Sequence, residues 1–378
     1  MHKILLKAIV FGLIIWMVGC TNSIKNQTDS AFKADTAFTM QHSSLVHFGL
    51  VGSYRCVLFK NPWDTSEYAK KIVLIPRDAN NAQIPKGYTA LYTPIRSIAV
   101  TSSTAISFLS KLGKLNLLNG VADADYIFNP WVKDAIKKGT IIEIGQGQTL
   151  NRERIIETDP DVVLASIYAD QQLPDLTGTA SYLIPFADYL EEKPLARAEW
   201  LKVVGAITQT ETLADSIFNS IETNYIKLST LAKKAESKLT IFDGTQYEGV
   251  WYVSGGKSYM AALYEDAGAD FIWKQTSERA SIALGFEKVY EQARHAEFWR
   301  ILVNSSDDYT MAKLAEDNLK YTYFDAFINK KVICCNSNQV PYYEDGVTQP
   351  DIILADLIFC LHPALLPNYQ PVYYTFLR

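Results

Sequence analysis

The side chains best placed to meet a ligand are hydroxyl and aromatic groups in loops that follow short apolar runs. Ser102 and Ser103 follow the run Ser97–Thr101, and Tyr168 follows Asp161–Ala165. Tyr126 and Gly147, the latter in the stretch Gly145–Leu150, come after the runs at 120–122 and 140–144. Trp251 and Tyr252 close another run just before Gly255-Gly256-Lys257-Ser258, and Asn338 and Tyr343 lie between Val332–Cys335 and the last helical stretch. Loops at the carboxyl ends of strands line the clefts of α/β folds. With 22 Tyr and 7 Trp in the chain, the natural chemistry of such a cleft is stacking on a large flat ligand. Few basic residues fall in these loops, so a strongly anionic ligand is not obviously favoured. Arg279 is the main cation available if one binds.

Several other chemistries are absent from the sequence. There is no G-x-S-x-G, no H-E-x-x-H and no dinucleotide fingerprint. Gly255-Gly256-Lys257-Ser258 has the end of a phosphate-binding loop, but the first glycine of that motif would fall at Trp251, so the motif fails. As a glycine-rich turn before a helix it can still offer backbone amides to an anionic group. The five histidines include no pair at helical ligand spacing, and the cysteines form no C-x-x-C, so several side chains gripping a bare metal ion are not expected. Any metal should arrive wrapped in a chelator. The catalytic alternative that composition leaves open is an exported carboxylate-dependent hydrolase. The net charge of −5 argues against nucleic acid, whose binding demands a basic face.

The remaining reactive group is the thiol of Cys20. Lys3 and Lys7 precede an apolar run, Ala8–Val18, which Gly19 and Cys20 close. That is signal-peptide organisation. The run is shorter than the roughly 20 residues needed to span a bilayer. Met17-Val18-Gly19-Cys20 resembles a bacterial lipobox, which implies diacylation of Cys20 and removal of residues 1–19. The polar stretch 20–43 reads as a tether. With no acidic run after Cys20, the protein is expected at the periplasmic face, held to a membrane by lipid. Cys56, Cys334, Cys335 and Cys360 sit in apolar runs and read as buried thiols, although the compartment permits disulfides.

These groups need a scaffold, and the pattern supplies one. Residues 44–94 hold two β-rich runs around the turn Asn61-Pro62-Trp63-Asp64, read as an added hairpin and linker. Short apolar runs then alternate with helical patterns through 95–207, the signature of a mostly parallel sheet covered by helices. Thr208-Gln-Thr-Glu211 has the form of a capping box. It opens a long helix, 208–237, whose apolar residues recur every three to four positions. A second α/β rhythm fills 238–378. The fold class is therefore α/β: two parallel-sheet lobes joined by one long helix. Glu153 and Glu287 occupy matched places in the two lobes. Each lies near the N-terminus of a helix that feeds a strand, where the helix dipole favours a carboxylate.

On Arg96–Leu112, Gly120-Val121-Ala122-Asp123, Arg152–Leu164 and Pro350–Leu361, the chain resembles the substrate-binding proteins of ABC importers for iron complexes and cobalamin. The resemblance covers about 95–365. Pro194–Trp200 and Asn61-Pro62-Trp63 resemble a subgroup common in Bacteroides-like bacteria. It implies a ligand cleft between the lobes, no resident cofactor, and as ligand a ferric siderophore, haem or a corrinoid. It implies as partner a permease dimer with cytoplasmic ATPase subunits, and it casts Glu153 and Glu287 as the carboxylates that meet arginines on that permease.

Overall fold

The computed structural model describes residues 32–169 and 173–378. The signal segment and Cys20 lie outside the described residues. Four sheets form. The first holds Phe32–Ala34, Val46–Val51, Tyr54–Lys60, Tyr68–Pro76 and Thr89–Thr93 in chain order. Its neighbours are antiparallel except for the last pair. The expected hairpin is thus the middle of a five-stranded sheet.

The expected tether is also shorter than 20–43. Phe32–Ala34 is a strand, and Phe38 and Ser43 are buried. Two glutamates explain why this polar stretch is fixed. Glu199, fully buried, accepts the backbone N–H groups of Gln41, His42 and Ser43 at 2.7–2.9 Å. Glu191 accepts from the Ser43 hydroxyl and from the Trp200 indole. Polar sequence marks a tether only when its amides go to water; here carboxylates from the first lobe take them.

The first lobe carries a sheet in the order Tyr182–Pro185, Val162–Ala165, Ile98–Val100, Leu118–Ala122, Ile142–Gln146, Thr149–Leu150. All neighbours are parallel except the last, short pair. The second lobe has Ala269–Phe271, Leu239–Asp243, Phe298–Val303, Val332–Asn336 and Thr375–Phe376, parallel apart from the final strand. A small antiparallel sheet of Gln246–Tyr247, Val250–Val253 and Ile282–Leu284 lies beside it. Near-continuous apolar strands such as Val162–Ala165, all buried, suit a parallel sheet covered on both faces.

The connecting helix spans Glu211–Ala232, roughly 33 Å at about 1.5 Å per residue. Ala214, Phe218, Ile221, Tyr225, Ser229 and Ala232 form its buried stripe, the spacing that puts them on one face. That stripe packs on the helices Leu201–Ile207 and Pro350–Leu361. The capping box does not form. Thr210 is the N-cap, and the Thr208 hydroxyl donates to the Val204 carbonyl instead. Glu211 pairs with Arg55 of the N-terminal sheet at 2.8 Å. The box cannot form because, with Thr210 as N-cap, Glu211 is the first helical residue rather than the third.

Cys334, Cys335 and Cys360 are buried free thiols, and burial pushes each thiol up to about 12. Cys56 is buried too. Among the described residues no helix is long and apolar enough to cross a membrane. Nor do three or more of His, Cys, Asp and Glu gather to hold an ion there.

Candidate functional site

A cavity of about 260 Å³ opens between the lobes. The first lobe supplies Arg197, from the helix Pro194–Ala198. The second lobe supplies Ser254, Tyr259, Arg300, Leu302, Tyr342 and Tyr343, and Val347 also lines it. Leu302 also borders a polar hollow of about 570 Å³ with Asn304, Ser305, Asn318 and Tyr309.

The two arginines are held differently. Arg197 Nε lies 3.1 Å from Asp188 Oδ2. Asp188 is 1% exposed, and burial raises its carboxyl above the usual range against the pull of Arg197. Burial opposes the charge on Arg197, and Asp188 more than restores it. The Arg197 guanidinium also lies 5.5 Å from the centre of the Tyr259 ring, a cation–π distance.

Arg300 lies within the strand Phe298–Val303 and is 7% exposed. Its Nε donates to the Tyr374 hydroxyl at 3.0 Å, and Nη2 donates to the same oxygen. Among the described residues it has no carboxylate within 4 Å. Burial works against its charge, but Tyr374, Tyr264, Tyr342 and the more distant Asp243 outweigh burial. Asp243 itself is occupied: it accepts from Ser254 N and from the Tyr264 hydroxyl, each at 2.9 Å.

Long-range packing brings Tyr374 to this place. Asp356, fully buried on the helix Pro350–Leu361, accepts the backbone N–H groups of Val372, Tyr373 and Tyr374. It thereby pins the C-terminal tail against the cavity.

Of the residues expected to line the cleft, Tyr343 does so, 58% exposed and edge-on to Tyr342. Ser102 is spent as the N-cap of Ser103–Lys111, accepting from Thr104 N, and Ser103 starts that helix half-buried. Tyr126 is 70% exposed on the first lobe, and Gly147, at φ +56°, donates its N–H to Asp123. Tyr252 is exposed on the small sheet. Asn338 ties its loop to Asn304 at 3.0 Å. Tyr168 packs 5.6 Å from Tyr189 and lines a different hollow, described below.

Trp251 is a correction. It is fully buried among Phe242, Trp299 and Phe324, with its indole N–H donated to the Asp243 carbonyl. Strand alternation sends it into the core and Tyr252 outward. The Gly255–Ser258 turn is another: the amides of Gly256, Lys257 and Ser258 go to Thr276, Glu278 and Gly255. The glycines serve close approach, since a Cβ on Gly255 would meet the Glu278 carbonyl at 2.2 Å.

Arg279 lies outside the cavity and pairs with Glu192 of the first lobe at 2.6 Å. The cations that do face the cavity are Arg197 and Arg300, which lie on a helix and in a strand rather than in the loops at strand ends. A lone arginine inside the apolar run Phe298–Val303 was the available signal, because such a charge is rarely buried without purpose.

Glu153 and Glu287 sit in the first turns of the helices Arg152–Thr158 and Phe286–Ala293, both exposed. Each helix precedes a strand of its lobe's sheet, Val162–Ala165 and Phe298–Val303.

A family model described as periplasmic binding protein matches residues 98–338, more than half of the chain. The chain belongs to the periplasmic binding protein family. The match begins after the N-terminal sheet. An uncharacterized lipoprotein of Methanocaldococcus jannaschii is 26% identical over 73% of this chain and 67% of its own length. Among solved structures, Helicobacter pylori CeuE with Ni(II) bound superposes with a TM-score of 0.59 at 15% identity, covering 77% of this chain and 92% of that one. The periplasmic heme binding protein HutB of Vibrio cholerae gives 0.55 at 16% identity, covering 71% and 99%. These neighbours establish the shared fold: two α/β lobes with parallel sheets and a long helix. The family places the chain outside the cytoplasm.

Proposed function

We propose that this chain is the lipid-anchored substrate-binding protein of an ABC importer and that it captures an anionic metal chelate, a ferric siderophore or haem, between its lobes. The observation that carries the ligand class is Arg300, buried in the cavity wall with no carboxylate within 4 Å among the described residues. A buried charge with no counter-charge in contact is costly, and an anionic group on the ligand supplies one. Tyr259, Tyr342 and Tyr343 offer ring faces to a flat body. The cavity, at about 260 Å³, is smaller than typical ligand pockets of roughly 300–1,000 Å³. The ligand's anionic end fits it, and the rest extends past Leu302 into the adjoining hollow. A corrinoid suits two arginines less well than a ligand with carboxylates or phenolates.

The names of the solved neighbours, one with Ni(II) bound and one a heme binder, and the lipoprotein name of the archaeal relative support the same reading. Anchoring follows from Cys20 and its flanking residues. Delivery follows from Glu153 and Glu287, one exposed glutamate per lobe for a permease dimer.

Purified protein lacking residues 1–20 tests this through its visible spectrum and through tryptophan quenching by haem, an anionic ferric chelate and a neutral ferric chelate. Tighter binding of the anionic ligands is expected. Equal affinity for the neutral chelate overturns the ligand class. Turnover of a substrate with no chelate bound favours the hydrolase alternative.

A further inference from the structure

The largest of the hollows described here does not belong to the inter-lobe cavity. It has a volume of about 640 Å³ and lies between the tip of the N-terminal sheet and the flank of the first lobe. The sheet contributes Trp63 and Lys70, from the turn and strand after Tyr54–Lys60, and the lobe contributes Tyr168, Ser181, Tyr182 and Pro185. The sheet lies outside the residues that the family model matches, so the family's shared architecture does not account for this hollow.

Its chemistry is specific. Trp63 is 50% exposed, an unusual state for the largest apolar side chain. It is held there by a turn in which Asn61 Oδ1 accepts the Trp63 N–H at 3.0 Å. Tyr168 and Tyr182 add further ring surface. Lys70 is half-buried and makes no ion pair among the described residues. The other charged residue on the wall, Asp175, is occupied within its own turn by Thr177. Ser181 is nine-tenths buried, and its hydroxyl has no hydrogen-bond partner among the described residues. A buried hydroxyl without a partner is itself a mark of an absent group.

We infer that this hollow is a second binding site, which takes a small planar aromatic carboxylate. The ring stacks on Trp63 and the tyrosines, the carboxylate meets Lys70, and the Ser181 hydroxyl turns to complete its hydrogen bonding. The occupant is a molecule of its own rather than an arm of the cleft's ligand. The two cavities share no lining residue. The inference is independent of the reading of the cleft.

Salicylate is the probe, titrated calorimetrically into the full chain lacking residues 1–20. Saturable binding at millimolar concentration or below is expected. Trp63→Ala should weaken it about tenfold or more, the scale of one lost stacking partner, and Lys70→Met should do the same. Both residues are at the sheet's exposed tip, and an unchanged circular dichroism spectrum shows the fold intact. Tyr343→Ala, in the inter-lobe cavity, should leave salicylate affinity unchanged. Absence of saturable binding overturns the inference. So does loss of binding in Tyr343→Ala with Trp63→Ala and Lys70→Met silent, because salicylate would then sit between the lobes.

Discussion

The two lobes are alike at the rim and unlike in the cavity. Each offers one exposed glutamate in the first turn of a helix, Glu153 and Glu287. Each also offers one arginine to the cavity, but Arg197 brings a buried carboxylate with it and Arg300 does not. The first wall's charge is therefore matched at contact distance, whereas Arg300 has a phenol beside it and only the more distant Asp243 as counter-charge. Symmetric rims suit a symmetric partner, whereas an asymmetric cavity orients its ligand. An anion should seat against the second lobe and leave its uncharged face to the first.

The largest expected effect tests the symmetric part. Glu153→Ala combined with Glu287→Ala should abolish uptake in cells while chelate affinity of the purified protein stays at the wild-type value. Each single variant should retain part of the uptake. Unimpaired uptake by a correctly exported double variant would defeat the docking assignment.

The next effect tests the asymmetry. Arg300→Met should lower affinity for an anionic chelate by roughly 30-fold or more, since losing one partner of a buried charge pair costs about 2 kcal/mol or more. The same change should leave the thermal midpoint of the unliganded protein unchanged or higher, because it removes a buried charge with no carboxylate in contact among the described residues. A fall in both affinity and stability would mean that Arg300 is chiefly structural. Asp188→Asn probes the opposite wall. It strips Arg197 of its counter-charge and should destabilise the protein by about 2 kcal/mol. That is below the roughly 3–5 kcal/mol of fully buried pairs, because the Arg197 side chain keeps 23% of its surface exposed. Denaturant unfolding measures it. In the same variant neither arginine has a carboxylate in contact among the described residues, so the preference of an anion for the second lobe should weaken.

The sequence revealed the scaffold better than the cavity, and the reason is locality. Alternating apolar runs and helical periodicity are local signals, and they placed both lobes and the connecting helix. The cavity is built from contacts remote in sequence. Arg300 meets Tyr374, which Asp356 holds in place. Arg197 belongs to a stretch, Pro194–Trp200, that was legible only as a family marker. Glu191 and Glu199 had no visible role until residues 41–45 were seen to return their backbone amides to them. Loops at strand ends hold Tyr343 but neither arginine, because one arginine lies in mid-strand and the other on a helix. Strand alternation, applied strictly, would have sent Trp251 inward and kept Tyr252 alone as a candidate.

The smallest effect concerns the contact that joins the lobes beside the cavity. Arg279 and Glu192 lie 2.6 Å apart with side chains 63% and 36% exposed, so water and salt screen them. Exposed pairs of this kind contribute about 0–1 kcal/mol. Arg279→Ala should change stability by no more than about 0.5 kcal/mol. Its effect should appear in ligand release, because the pair bridges the two lobes that must separate. In the native protein, raising salt should speed chelate dissociation by about twofold at most, the kinetic equivalent of that energy. Arg279→Ala should start at the faster rate and lose that salt response. If dissociation from the variant remains as salt-sensitive as before, the response belongs to the ligand's own contact with Arg300, and the Arg279–Glu192 bridge does not govern opening.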